Sequence, residues 1–135
     1  MIPNLAPLDL VNFGMGLVIW LVQLILYPGL AHYPPAHLVA WHRSYTRLIS
    51  FFVIPLMLVQ AGLLLQAALN GAAAPNAMLA MVALAWAVTF KFSVPLHRRI
   101  ANNEDPTAAV SLLIRTNWPR TILWTAVFLL GLATS

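Results

Sequence analysis

Four apolar runs, each close to the roughly 20 residues that cross the hydrocarbon of a bilayer, follow one another along this chain with only short polar breaks between them. The runs predict helices over 8–30, 37–69, 77–100 and 107–133 within one domain, 1–135. The breaks support those limits. HYPPAH carries a Pro-Pro pair after the first run, NGAAAPN interrupts the second and third, and ANNEDPT places Pro106 near the first position of the last helix. Connections this short make successive helices antiparallel neighbours, so the expected fold is all-α, an integral membrane four-helix up-down bundle. Composition agrees, with 61% hydrophobic residues, 7% charged residues and a mean hydropathy of +0.85. The opening MIPNLAPLDL lacks the basic start and small-residue cleavage pattern of a signal peptide, and the first run is expected to be retained as a helix.

The 7 cations, Arg43, Arg47, Lys91, Arg98, Arg99, Arg115 and Arg120, all fall at the end shared by the first and third connections. The positive-inside rule then places both termini outside and the basic connections in the cytoplasm, with a bacterial inner membrane as the expected location. A pI near 10.4 invites a nucleic-acid reading. These charges instead sit beside spanning segments, where anionic headgroups of the lipid bilayer are the partner, and no nucleic acid is expected. The chain has no cysteine, which excludes disulfides, thiolate catalysis and iron–sulfur ligation. Gly14, Gly16, Gly62 and Ala72 to Ala74 suit close helix contacts, either within one protomer or in a homo-oligomer.

RTNWPRT, Arg115 to Thr121, breaks the last apolar run. From Trp118 to Thr134 there are about 17 residues, or roughly 25 Å of helix, so this turn must lie near the inner hydrocarbon boundary. An arginine there snorkels, pairs or faces a protein interior. At 100° per residue Asn117, Arg120, Thr121 and Trp124 share an arc of about 100°, and Arg115 points elsewhere. The other helices carry matching stripes. They are Asn12, Gly16, Trp20, Gln23 and Tyr27 on the first, His42, Thr46, Ser50 and Gln60 on the second, and Trp86, Thr89, Phe90, Ser93 and His97 on the third. Arg43 and Arg47 flank the second stripe, Pro55 is placed to kink it, and Lys91 and Arg98 lie off the third and are expected to snorkel.

In lipid such stripes turn inward. Gln23, Gln60, Thr89 and Ser93 suit interhelical hydrogen bonding. His42, His97, Asn117 and Arg120 stack at one depth and suit a cationic, aromatic pocket for a lipophilic or anionic small molecule. Tyr27, Tyr45, Trp118, Thr121, Trp124, Arg43 and Arg47 would bind or wall that ligand. Carboxylates are too few for paired-acid hydrolysis or a di-iron site, because the chain has only Asp9, at the very start of the first run, and Glu104 and Asp105, in the last break. No Ser-His-Asp constellation is present, and His32 and His37 read as loop residues. Histidine is the group left to move a proton, with His42 or His97 as base and Arg120 with Asn117 stabilising an oxyanion. The same two histidines, facing each other, could instead hold haem or a metal, with arginines on the propionates, although no HxxxH, HExxH or CxxCH spacing fixes a metal.

VPLHRRIA, followed by LIRTNWPRTILWTAVFLL, resembles the C-terminal half of the anthrone-oxygenase-like family of small four-helix membrane proteins, over about 93–130. The matching positions are Pro95, Leu96, Asn117, Arg120 and Thr121. His97 stands where that family more often has asparagine, and the first two helices match poorly. The resemblance implies a four-helix membrane fold and, as in the fungal members, oxygenation of an anthrone to an anthraquinone. Size and helix count also suggest the membrane haem-dependent protoporphyrinogen oxidases, but the first helix lacks the histidine those proteins use. The expected function is therefore an oxidoreductase acting on a lipophilic phenolic or quinol-like substrate. The alternative is a non-enzymatic haem- or lipid-binding membrane subunit or scaffold. A solute carrier fits less well, since there is no inverted repeat and no embedded carboxylate.

Overall fold

The computed structural model describes residues 6–135, and these form four long helices joined by short turns, with no strand among the described residues. α1 spans Pro7–Leu30, α2 Pro35–Leu69, α3 Ala73–Ala101 and α4 Pro106–Thr134. Prolines set three of the starts. Pro7, Pro35 and Pro106 occupy first-turn positions, where a missing N–H costs nothing because that donor has no partner inside the helix. α3 begins four residues earlier than the sequence pattern predicts, for the same reason: Pro75 fits within its first turn, and the break shrinks to Asn70–Ala72. Gly71 closes α2 at φ +86, a left-handed conformation that glycine adopts freely.

α1, α2 and α3 are each long and apolar enough to cross a membrane. Neighbouring helices run in opposite directions. Asn12 of α1 meets Gln60 of α2, and Gly14 lies beside Leu56. Against α4, Asn12 approaches Gly131 while Gln23 bonds Ile114. α2 and α3 pair His42 with His97 at one end and Leu64 with Met78 and Val82 at the other. Along α3 and α4, Met78 approaches Gly131 and Ser93 meets Arg120.

Two of the helices share a local fault. α1 widens into a π turn at Val22–Leu26, and α3 does so at Thr89–Ser93. Each π turn ends two residues before a proline, Pro28 or Pro95, which supplies no N–H to the carbonyl four residues back and would clash with it in a regular helix. Widening the turn takes up the extra residue. Each π turn holds a buried polar side chain, Gln23 in α1 and Ser93 in α3. α2 continues through Pro55 and α4 through Pro119 without such a turn.

The core is layered along the axis. At the basic end Leu30, Leu38, Ile100, Val110 and Leu113 pack together, and at the far end Leu64, Met78, Val82 and Val127 do so. The middle layer combines Met15, Ile19, Met57, Ala85 and Trp124. Much of the outer surface is apolar, with Phe51 72% and Phe52 65% exposed. Large side chains like these on the outside of apolar helices suit contact with lipid.

Candidate functional site

Arg120 is only 6% exposed, and every partner it has among the described residues is uncharged. Its Nη1 donates to Asn117 Oδ1 at 2.9 Å and to Ser93 Oγ at 3.3 Å, and its guanidinium lies 5.3 Å from the Trp124 ring. Nε is buried without a partner among the described residues. Asn117 is held in turn, its Nδ2 donating to Gln23 Oε1 at 3.0 Å. Thr121 donates to the same oxygen at 3.0 Å, and Gln23 Nε2 bonds the Ile114 carbonyl. The chain of contacts therefore fixes the arginine between the π turns of α1 and α3.

A cavity of about 490 Å³ lies beside it. Its walls come from α1, α2 and α3, and α4 contributes Arg120 alone. Most of the lining is apolar, and most of its polar groups, among them Tyr27, Tyr45, Ser93, His97 and Arg120, gather towards the basic end, with Thr89 a turn beyond Ser93. That volume falls within the range of small-molecule sites, and a mostly apolar wall with a few convergent polar groups is their usual chemistry.

The two histidines expected to act together do meet. His97 Nδ1 and His42 Nε2 share a hydrogen bond of 2.8 Å, and His97 Nε2 shares one of 3.1 Å with the Tyr27 hydroxyl. The rings of His42 and His97 stack, with centroids 5.1 Å apart. If Tyr27 donates to His97 and His97 donates to His42, both contacts are satisfied and the remaining N–H is His42 Nδ1, which is buried and unpartnered among the described residues. The line runs from the cavity wall, where Tyr27 and His97 stand, to His42 behind it.

This geometry does not suit the two histidines as a haem or metal pair. Two axial ligands on one iron stand on opposite faces of the macrocycle, whereas these nitrogens are in direct hydrogen-bond contact. Nor do three His, Asp or Glu side chains come together as a metal site among the described residues.

The other expected site residues divide by which way they face. Tyr27, Tyr45, His97 and Arg120 line the cavity, while Asn117, Thr121 and Trp124 are fully buried behind it. Asn117 is thus a positioning residue for Arg120; both ends of its amide are already engaged. Trp124 donates to Gln60 Oε1 at 2.9 Å, and Gln60 donates to Asn12 Oδ1 at 2.8 Å, a second polar cluster towards the far end. Trp118 does not wall the pocket. It is 42% exposed and packs edge-on against Trp20, whose indole donates to Thr125. Arg43 and Arg47 are also exposed, with Arg43 reaching the Ala101 carbonyl. RTNWPRT thus splits, with Asn117, Arg120 and Thr121 inward and Arg115, Trp118 and Pro119 outward.

Ser93, expected only to join helices, lines the cavity and holds Arg120. Its position two residues before Pro95 was the available signal. Comparison with protein-family models, with curated proteins and with solved structures finds no match to this chain.

Proposed function

We propose that the chain is an integral membrane four-helix bundle whose internal cavity binds a lipophilic phenolic or quinol-like molecule and oxygenates it. The reading has both termini outside and the basic connections in the cytoplasm, since the cations gather at that end of the bundle. Its chemistry rests on one observation above the others, a buried arginine with only neutral partners at the polar end of an apolar cavity, while its kinship with anthrone-oxygenase-like proteins rests on the sequence resemblance over about 93–130.

An arginine so placed favours an occupant with a negative oxygen. In a low-dielectric cavity that attraction is much stronger than in water, and the network through Asn117, Ser93 and Gln23 holds the guanidinium before the ligand arrives. A substrate methylene conjugated with a carbonyl, across the ring in an anthrone, would lose a proton through Tyr27 and His97 towards His42, leaving an enolate-type anion whose oxygen faces Arg120. Dioxygen takes up the electron pair at that carbon, and the proton returns to give a hydroperoxide. Loss of water then leaves a new carbonyl, so that one methylene group and one dioxygen become one carbonyl group and one water. Asn117 orients the arginine and touches no substrate.

Purified protein in mild detergent, given anthrone, should consume one dioxygen per anthraquinone formed, faster than the uncatalysed reaction. Arg120→Gln should lower that excess rate by roughly 100-fold or more while helicity by circular dichroism stays intact. Full turnover in the variant, or no excess rate with the native protein, overturns the proposal.

A further inference from the structure

α2 and α3 touch at both ends and part in the middle. His42 meets His97 and Arg43 meets Ala101 at the basic end, and Leu64 packs on Met78 and Val82 at the other. Between these contacts lies the π turn of α3, Thr89–Ser93, and here the cavity reaches the surface. The burial of its lining residues shows on which side. On α1, Met15, Ile19 and Val22 are buried, whereas Ile54 and Leu58 of α2 and Phe90 of α3 are 53%, 59% and 61% exposed. The opening therefore faces sideways from the bundle, flanked by apolar side chains.

The cavity is also long and uneven in polarity. On α1 it is lined from Met15 to Tyr27, about 18 Å of helix. Arg120, Ser93, His97, Tyr27 and Tyr45 cluster towards one end, and Met15, Met57, Leu58 and Trp86 form the other. Spread over that length, the volume describes a narrow slot, which suits a ring with a chain attached better than a compact globular solute.

Resting on the membrane and ligand-binding reading above, we propose that the cavity fills from within the bilayer through the window between α2 and α3, taking an amphiphile whose phenolic ring lies at Arg120 and His97 and whose alkyl chain runs towards Met57 and Trp86. A window between lipid-facing side chains admits a molecule already dissolved in the acyl chains without passing it through water. The Arg120 Nε, buried and without a partner among the described residues, supplies the polar end that sets its direction. Trp86 lies seven residues from Ser93, about 10 Å along the helix, which places its ring beside the middle of a decyl chain.

The test uses the full chain in phosphatidylcholine vesicles and 4-decylphenol brominated either on the ring or at mid-chain, with quenching of Trp86 taken as the difference between native protein and Trp86→Phe. Mid-chain bromine should quench Trp86 more strongly than ring bromine. Narrowing the window with Ile54→Phe and Val94→Phe, at positions that face outward, should slow association roughly tenfold and leave Kd within about twofold. Stronger quenching by ring bromine, or association indifferent to the window substitutions, overturns this inference and leaves phenol binding intact. If neither probe binds, the ligand-binding reading itself fails.

Discussion

Replacing Asn117 with leucine should destabilise the bundle more through the charge it abandons than through the contacts it removes. Asn117 is fully buried and makes two short bonds, one from Arg120 at 2.9 Å and one to Gln23 at 3.0 Å. A hydrogen bond to a charged group contributes about 1.5–3 kcal/mol and a neutral one about 0.5–1.5 kcal/mol. Interhelical bonds in membrane bundles sit near the bottom of that range, with a mean of about 0.6 kcal/mol. Gln23 Oε1 keeps Thr121 as a donor, so little is lost there. Arg120, by contrast, would keep a single oxygen partner, Ser93 at 3.3 Å, for a charge that stays buried. The expected loss is about 2–3 kcal/mol, most of it from that arginine. It follows that Asn117→Leu combined with Arg120→Met should be more stable than Asn117→Leu alone, because the second change removes the orphaned charge. Titration of the protein from mild detergent into dodecyl sulfate, followed by circular dichroism, measures all three variants. A loss below about 0.5 kcal/mol in the single variant, or strict additivity in the double, would refute the reasoning.

Glycine positions should separate sharply. A Cβ at Gly131 would lie 3.1 Å from Asn12 Nδ2, whose amide is held by Gln60, so Gly131→Ala should cost about 1–3 kcal/mol in the same titration. Gly62 has nothing within 4 Å and lies inside α2, and Gly62→Ala should stabilise by about 0.5–1 kcal/mol. Two tryptophans of α4 should also behave differently. Trp124→Ala empties a fully buried site that is also hydrogen-bonded to Gln60, and should cost about 3–5 kcal/mol, whereas exposed Trp118→Ala should cost less than about 1 kcal/mol.

Much of this arrangement was legible in the sequence because a polar side chain in an apolar helix has few places to go. Asn12, Gln23, Gln60, Ser93, Asn117 and Arg120 were all placed on inward stripes, and all are buried. The pairing of His42 with His97 followed from their matching level on antiparallel helices. What the periodicity could not carry was the π geometry. Pro28 and Pro95 mark a fault in a regular helix, yet a kink and a widened turn look alike in sequence, and the two shift the following side chains differently. Trp20 shows the limit at the edge of a stripe, because it is 39% exposed although its arc is that of buried Gln23. Trp118 shows another: an aromatic next to Asn117 is about 100° away from it and faces out. The cavity was the least legible feature, since it depends on two helices separating beside a π turn, which no single helix records.

The central claim, that Arg120 holds a phenolic oxygen as an anion inside the bundle, is tested most directly by the colour of a bound indicator. A nitrophenol carrying an alkyl chain, added to the detergent-solubilised protein at a pH where the free probe is protonated, should develop its phenolate absorption band on binding, and Arg120→Gln should bind it without that band. A probe that stays neutral in the native cavity, or a phenolate band that survives in Arg120→Gln, would contradict the account.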